Sequence, residues 1–151
     1  MTDREIYEEM RDPLMHFALS LVGPDHASDL VSDAVVATLQ RRSLTSIEHP
    51  KAYLMQAILN RARSRGRQME RERRAMARHG PLSPSEDASA GVSDIEQTID
   101  LLPLQQRAAI YLVYWEGLKP TEAAGVIGVR PATLRRYLHL ARRKLERYLD
   151  D

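Results

Sequence analysis

The segment that most constrains this chain lies near its C-terminus, in residues 121–145. Its pattern predicts a short helix, a glycine turn and a second helix. Thr121 is expected to cap the first helix, because a threonine hydroxyl accepts an unpaired backbone N–H of the first turn. Gly128 stands where a helix ends in a left-handed residue, and Pro131 stands where a second helix can begin without losing a hydrogen bond. One face of the first helix is apolar: Ala123, Ala124, Ile127.

The second helix of this segment separates apolar from basic residues. Its predicted buried stripe is Leu134, Leu138, Ala141 and Leu145. The other faces carry Arg135, Arg136, His139, Arg142 and Arg143. A short helix, a tight turn and a basic second helix is the layout that places a recognition helix in the major groove of DNA. The alternative is a helical hairpin whose basic face is merely solvated.

Charge is strongly segregated along the chain, although the whole sequence has a formal net charge of only +1. Residues 1–40 have two arginines against eight acids, and residues 83–100 have five acids and no base. Residues 61–78 have eight arginines against two glutamates, and residues 130–147 have seven bases against one glutamate. Two basic blocks predict two nucleic-acid contacts, and the acidic surfaces remain for a protein partner.

Nothing in the composition indicates an enzyme. The chain has no cysteine and no glycine-rich phosphate loop, and its five histidines lack metal-ligand spacing. We therefore expect no catalytic residue, no cofactor and no metal. An acidic N-terminus without a signal-peptide pattern, and no apolar run of membrane-spanning length, predict a cytoplasmic protein with no membrane insertion.

The periodicity predicts an all-α protein, with two small helical domains joined by a flexible linker. The predicted boundaries are 1–78 for the first domain, 79–92 for the linker and 93–151 for the second domain, which holds the helix-turn-helix. Three helices are expected in the first domain. The first runs from about Asp3 to Val22, and the second follows a cap at Asp25 or Ser28. The third runs from Pro50-Lys51 into the first arginine block.

The second domain is expected to begin with a capping box at Ser93 and Glu96, on a helix lined by Ile95, Ile99 and Leu102. Pro103 should open the next helix. The core candidates of that helix are Ala108, Ala109, Leu112, Val113 and Trp115.

In order and spacing, several motifs resemble the extracytoplasmic-function (ECF) group of bacterial RNA polymerase sigma factors. The N-terminal ones are Phe17-Ala-Leu-Ser-Leu-Val-Gly23, Ala27-Ser-Asp-Leu-Val-Ser-Asp33, Pro50-Lys-Ala-Tyr-Leu54 and Asn60 with the arginines after it. The C-terminal ones are Leu102-Pro-Leu-Gln-Gln-Arg107, Tyr114-Trp-Glu-Gly-Leu118, Gly128-Val129, Thr133 and Leu138-His-Leu-Ala-Arg-Arg-Lys-Leu145.

The resemblance implies a sigma factor that binds core RNA polymerase and directs it to promoters. It implies a polymerase contact on the second helix: Asp29, Leu30, Asp33, Val36. It implies that the long third helix binds and helps to melt the minus-ten element: Lys51, Tyr53, Asn60, Arg61, Ser64, Arg65. It implies that the helix-turn-helix reads the minus-thirty-five element: Arg130, Pro131, Thr133, Arg135, Arg136, His139, Arg142. The implied partners are core polymerase, promoter DNA and an anti-sigma factor.

The chain departs from the family pattern in several places. Ser32-Asp33 replaces a usual Gln-Glu, Ser64 replaces a usual aspartate, and Arg130 stands where a serine or threonine usually caps the recognition helix. Two other functions remain open at this point. One is a helix-turn-helix regulator that binds DNA without polymerase; the other is a helical adaptor that binds no DNA.

Overall fold

The computed structural model describes residues 1–77 and 102–150, with only the backbone of Asp150. Every regular element in these two ranges is helical, as the periodicity predicts. The predicted linker at 79–92 and the capping box at Ser93 lie outside the described residues.

The N-terminal half, residues 1–77, is a bundle of three helices. They are α1 (Asp3–Val22), α2 (Ala27–Leu39) and α3 (Pro50–Ala77). The hydroxyl of Thr2 accepts the N–H of Glu5 at 3.2 Å and caps α1. Gly23 ends α1 with φ of 80°, a conformation that only glycine adopts without strain. The three helices meet in an apolar core that includes fully buried Phe17, Leu14, Val31, Leu54 and Ile58.

The start of α2 differs from its prediction. The helix begins at Ala27 after His26, and no side chain caps it. The predicted caps, Asp25 and Ser28, are therefore wrong. A backbone hydrogen bond replaces the side-chain cap, because the N–H of Ala27 donates to the carbonyl of Gly23 at 3.2 Å.

A short 3₁₀ turn, Leu44–Ser46, lies within the polar segment that connects α2 to α3. Leu44 is completely buried in this turn. The Asp3 carboxylate accepts from the Ser43 hydroxyl at 2.6 Å and from Leu44 N–H at 2.9 Å. The start of α1 therefore fixes the loop that leads into α3.

In the described part of the C-terminal half, the first helix is α4 (Leu104–Ile110), which passes directly into a π-helical turn at Tyr111–Trp115. Glu116 N–H donates to the Tyr111 carbonyl, five residues back, at 3.1 Å. The wider turn changes which side chains face inward. Leu112 is fully buried, but Trp115 is 66% exposed, so the prediction of Trp115 as a core residue is wrong.

The helix-turn-helix consists of α5 (Pro120–Ile127) and α6 (Pro131–Asp150). Gly128 has φ of 83°, and its N–H donates to the Ala124 carbonyl at 2.9 Å, which confirms the predicted turn. The cap is different, because α5 begins one residue before Thr121. The N–H of Lys119 donates to Glu122 Oε1 at 3.0 Å, so the prediction of Thr121 as the cap is wrong. The buried face of α6 contains Leu134, Leu138 and Ala141.

The two halves pack against each other in this structure. Helix α1 contacts α4, and α3 contacts α5. The rings of Phe17 and Tyr111 lie 5.4 Å apart between centroids. Arg107 Nη1 donates to the carbonyl of Leu21, at the end of α1, at 2.8 Å. A continuous set of apolar and polar contacts therefore joins the N-terminal bundle to the helix-turn-helix.

Candidate polymerase and nucleic-acid surfaces

The acidic residues of α2 lie on its outer surface. Asp29 and Asp33 are four residues apart and both are exposed, so they share one face of the helix. Val36 is 53% exposed, but Leu30 is only 7% exposed. Of the four residues predicted for polymerase contact, three are accessible to a partner, and Leu30 supports that face from the core.

A groove of about 830 Å³ runs between α2 and α3. Its α2 wall includes three residues predicted for polymerase contact: Asp29, Leu30, Asp33. Its α3 wall includes five residues predicted for the minus-ten element: Tyr53, Asn60, Arg61, Ser64, Arg65. The two predicted surfaces therefore share an edge, and a ligand in the groove would touch both.

Tyr53 is half-buried at this groove, and the guanidinium of Arg42 lies over its ring, 5.6 Å from the centroid. Arg42 is held there by Ser46, whose hydroxyl accepts from Nε at 3.2 Å and whose carbonyl accepts from Nη2 at 3.1 Å. Cation–π attraction of this kind stabilises an exposed pair by about 0.5–1 kcal/mol. One face of the Tyr53 ring is thus covered, so an unpaired base would have to stack on the other face or displace Arg42. No motif in the sequence distinguishes Arg42 from the other arginines.

The predicted recognition surface on α6 is accessible. Six of its seven residues are exposed: Arg130, Pro131, Arg135, Arg136, His139, Arg142. The seventh, Thr133, is half-buried. The guanidinium of Arg142 lies 5.5 Å from the centroid of the exposed Tyr114 ring, so the π-helical turn holds one end of this basic surface.

The sequence is similar to known proteins over most of its length. Residues 93–145 match the model of the family described as "Sigma-70, region 4". The ECF RNA polymerase sigma factor EcfG of Rhodopseudomonas palustris is 30% identical over 90% of this chain and 78% of its own length. The RNA polymerase sigma-E factor of Streptomyces coelicolor is 28% identical over 96% of this chain and 84% of its own length. This chain belongs to the ECF sigma factors.

The fold leads to the same family. The sigma factor RpoE of Bartonella quintana, solved in complex with the anti-sigma factor NepR, has a TM-score of 0.75 and 25% identity, over 97% of this chain and 96% of that one. CnrH, solved in complex with the cytosolic domain of CnrY, shares the fold, with a TM-score of 0.66 and 22% identity over 98% of this chain and 87% of that chain. In the described part of the sigma factor no helix is long and apolar enough to cross a membrane.

Lys51 is separated from the other minus-ten candidates, because it pairs with the C-terminal half. Its ammonium lies 3.0 Å from Glu116 Oε2, and the Glu116 side chain is only 12% exposed. No local pattern pairs these residues, since Glu116 lies in the Tyr-Trp-Glu-Gly-Leu motif, 65 residues after Lys51.

Arg63 is the second bridge between the halves of the sigma factor. Its Nη2 donates to Gln105 Oε1 and, at 3.1 Å, to the carbonyl of Ile127 at the end of α5. Burial lowers the pKa of Arg63; nearby Tyr137 opposes this effect and Arg67 adds to it. In the sequence, Arg63 is one of eight arginines in a basic block, and no local pattern distinguishes it from the others.

Tyr111 is buried where the halves meet, beside Glu116. Burial is the main cause that raises the pKa of its hydroxyl to about 12, and the negative charge of Glu116 adds to the shift. Both causes disfavour a tyrosinate at this position. The neutral hydroxyl is therefore the form that the packed halves require.

Proposed function

We propose that this sigma factor binds core RNA polymerase through the acidic face of α2 and reads promoter DNA with α3 and α6. The observation that supports this most directly is the separation of charge on the folded chain. Acidic residues occupy the exposed face of α2, whereas basic and amide side chains occupy α3 across the groove and the exposed face of α6.

For the polymerase contact, Asp29 and Asp33 are the residues we assign, with Val36 as an apolar contact beside them. Carboxylates on one face would meet basic groups of the largest polymerase subunit, and such charge pairs set association rate and specificity. The exposed side chain of Val36 can be buried when the surfaces dock, which adds hydrophobic stabilisation.

For the minus-ten element, the α3 wall of the groove carries the assignment. Asn60, Arg61, Ser64 and Arg65 span little more than one helical turn and border the same groove. Amides, hydroxyls and guanidinium groups can bond base edges or phosphates. Tyr53 at the same groove offers a ring on which an unpaired base could stack, with a stabilisation of roughly 1–3 kcal/mol.

For the minus-thirty-five element, we assign base contacts to Thr133, Arg135 and Arg136, with Arg130 and Arg142 on phosphates. Helix α6 has no serine or threonine at its cap, and Arg130 stands there instead. An arginine at that point is placed to meet a phosphate that approaches the helix N-terminus. The guanidinium forks of Arg135 and Arg136 suit guanine O6 and N7.

We further propose that an anti-sigma factor regulates the protein. The support is the likeness to RpoE, whose solved structure contains the anti-sigma factor NepR. The polymerase that the sigma factor serves transcribes chromosomal DNA, so the proposed place of action is the cytoplasm, and the protein's role is regulatory rather than catalytic.

Reconstituted transcription tests the proposed function. Purified core polymerase and the sigma factor would transcribe a pool of genomic promoter fragments, with core polymerase alone as the control. We expect defined start sites that share sequence about 10 and 35 base pairs upstream. Specific DNA binding without any polymerase-dependent transcript would favour the regulator that acts without polymerase.

A charge reversal tests the polymerase surface separately. Asp29→Lys with Asp33→Lys should weaken binding to core polymerase and leave binding to upstream-element DNA intact. The matched control is Glu9→Lys with Asp12→Lys, the same charge change at exposed positions of α1. Equal core affinity for the two double variants would contradict the assignment of α2.

A further inference from the structure

One aromatic side chain of the π-helical turn lies against the basic face of α6, outside the core. Tyr114 is 53% exposed, whereas Leu112 of the same turn is completely buried. The guanidinium of Arg142 lies over the Tyr114 ring, 5.5 Å from its centroid. The pair therefore joins the π-helical turn to α6 on the solvent side of the C-terminal half.

The turn that carries this ring is irregular. Single π-helical turns are rare and occur mostly at functional sites. In this one, Tyr114 and Trp115 are both exposed, and the Trp115 ring stacks on Tyr111 with the centroids 6.3 Å apart. Of the two exposed rings, it is Tyr114 that lies against a residue of the proposed DNA surface.

The Arg142 guanidinium keeps its hydrogen-bonding capacity in this arrangement. Among the side chains of residues 1–77 and 102–149, the Tyr114 ring holds it, and no hydrogen bond or ion pair does. An arginine stacks on a ring with its flat face, while its N–H donors lie at the edge of the group. A phosphate can therefore bind Arg142 while the ring contact persists.

Arg142 stands at the far end of the proposed recognition surface. It comes a little more than three helical turns after Arg130, which is about 18 Å along the helix axis. Contacts at that spacing suit phosphates on the two sides of a major groove that is about 12 Å wide. Arg135 and Arg136 lie between the two, where base edges would be reached.

An exposed arginine loses freedom when it binds a phosphate. Its long side chain must settle into one conformation, and association is weakened by each flexible side chain that becomes ordered. A ring that already holds the guanidinium reduces this loss, because the side chain is restricted before DNA arrives. Tyr114 is in the position to do this for Arg142.

We propose that Tyr114 is a positioning residue for the minus-thirty-five element, which holds Arg142 ready for a phosphate. The inference rests on the proposed function, which assigns Arg142 to a phosphate, and adds a residue that lies outside the helix-turn-helix. Tyr114 acts through its ring and through Arg142. It therefore contributes affinity for every promoter sequence alike and adds no preference for a base.

Binding of the full chain to an upstream-element duplex tests the role of the ring. Tyr114→Leu removes the ring and keeps apolar bulk, whereas Tyr114→Phe keeps the ring and removes the hydroxyl. Tyr114→Leu should weaken binding roughly two- to fivefold, as expected when an exposed cation–π contact is lost. The loss should be equal for all single-base variants of the duplex. Tyr114→Phe should bind like the parent.

A double-mutant cycle tests whether Tyr114 acts through Arg142. Arg142→Ala alone should weaken binding and lower the slope of log affinity against log salt by about one, because a phosphate contact is lost. Tyr114→Leu should keep the parent's slope, and it should have no further effect when Arg142 is already alanine. The matched control is Tyr148→Leu, at a tyrosine of α6 that is 46% exposed, which should leave affinity unchanged.

Nuclear magnetic resonance detects the contact in the protein without DNA. The ring current of Tyr114 should shift the Nε–H resonance of Arg142 upfield in the parent chain and in Tyr114→Phe. The shift should disappear in Tyr114→Leu. This measurement separates a ring that holds Arg142 from a residue that only stabilises the fold, whose loss would appear in urea unfolding.

Three results would overturn the positioning role. Tyr114→Leu could bind as tightly as the parent, it could cost as much without Arg142 as with it, or Tyr114→Phe could weaken binding as much as Tyr114→Leu. Tyr114→Gln, which also lacks a ring, replaces Tyr114→Leu if that variant does not fold. If Arg142→Ala keeps the parent's affinity and slope, the proposed phosphate contact itself is wrong. If it lowers the slope while Tyr114→Leu changes nothing, only the positioning role is wrong.

Discussion

At the scale of single residues, arginine has three roles in this sigma factor, and the surroundings of each guanidinium decide which role it has. Arg63 is half-buried between the halves and donates to backbone and amide oxygens. Arg42 is held over an aromatic ring by Ser46. Arg135, on α6, is exposed. The planar guanidinium with its five donors makes all three possible.

The exposed arginines of α6 should differ in what they contribute to recognition. Arg135→Ala and Arg136→Ala should each cost roughly 1–3 kcal/mol and relax preference at one base pair, because a bidentate base contact is lost. Arg130→Ala should weaken binding to all sequences alike, as expected for a phosphate contact. Affinities for a panel of single-base promoter variants measure this. If the first two variants keep the parent's preference, α6 lies in the groove in another orientation.

Tyr111 should titrate later than an ordinary tyrosine. Its pKa of about 12 exceeds the unperturbed value of about 10, so the packed state holds its proton where an exposed tyrosine loses it. Stability from this group is therefore full below pH 10 and is lost as the pH rises through 12. Tyrosinate absorbance should show a late component near pH 12 that is absent in Tyr111→Phe. A titration curve identical in both proteins would contradict the burial of this hydroxyl.

At the scale of elements, the helix-turn-helix depends on one glycine conformation. Gly128→Ala should cost about 1–2 kcal/mol, because a Cβ strains a residue with φ of 83°. The added Cβ would meet only Gln56 Nε2 at 3.6 Å, an ordinary contact, so the cost comes from the backbone. Gly125→Ala is the control, since that glycine is helical and has open space around it. It should gain about 0.5–1 kcal/mol, measured for both variants by urea unfolding.

The bounds of α1 and the first residues of α3 and α6 could be predicted from the sequence, because α1 ends at a glycine and the other two helices begin at a proline. The buried stripe of α6 followed from its period. The orientation of Trp115 could not be predicted, since a π-helical turn leaves the composition unchanged while it rotates the residues that follow. The cap of α5 could not be predicted either, because Thr121 and Glu122 are adjacent and both side chains can accept a backbone N–H. In the structure Glu122 accepts from the Lys119 amide.

The candidate surfaces were predictable only in part. Exposed basic residues on a periodic helix, such as Arg135 and Arg136, stand out in the sequence. The bridges of Lys51 and Arg63 do not stand out. The partner of Lys51 is 65 residues away in the chain, and the two partners of Arg63 are 42 and 64 residues away. Distant pairing has no local pattern, and only the folded chain brings Glu116 to Lys51.

At the scale of the whole molecule, a net charge near zero results from acidic and basic surfaces that nearly cancel. Helices α1 and α2 are acidic on their outer faces, whereas α6 and the second half of α3 are basic. DNA binding depends on the local charge that meets phosphates, since counterions are released where they are displaced. A formal net charge of +1 therefore does not prevent strong, salt-dependent binding to duplex DNA.

Salt dependence should locate the charges that contact DNA. Replacing Arg130 and Arg142 by alanine should lower the slope of log affinity against log salt by about two, because two phosphate contacts are lost. Replacing Arg4 and Arg11 on α1 by alanine changes net charge equally and should leave the slope unchanged. Fluorescence anisotropy of labelled duplex DNA distinguishes the two double variants. The measurements span roughly 50 to 200 mM salt, the range in which such binding weakens steeply. Equal slopes for both double variants would mean that the basic face of α6 is not the surface that binds DNA.

The π-helical turn at Tyr111–Trp115 determines how the second half of this sigma factor is oriented, because it accommodates one residue more than an ordinary helical turn. If the same residues formed an ordinary α-helix, that extra residue would rotate everything that follows by about 100° and shift it by about 1.5 Å along the helix. Glu116 would then move away from Lys51, and the helix-turn-helix would meet α3 with a different side. Deleting one residue from the turn would instead restore an ordinary α-helix and leave the orientation of the second half nearly unchanged.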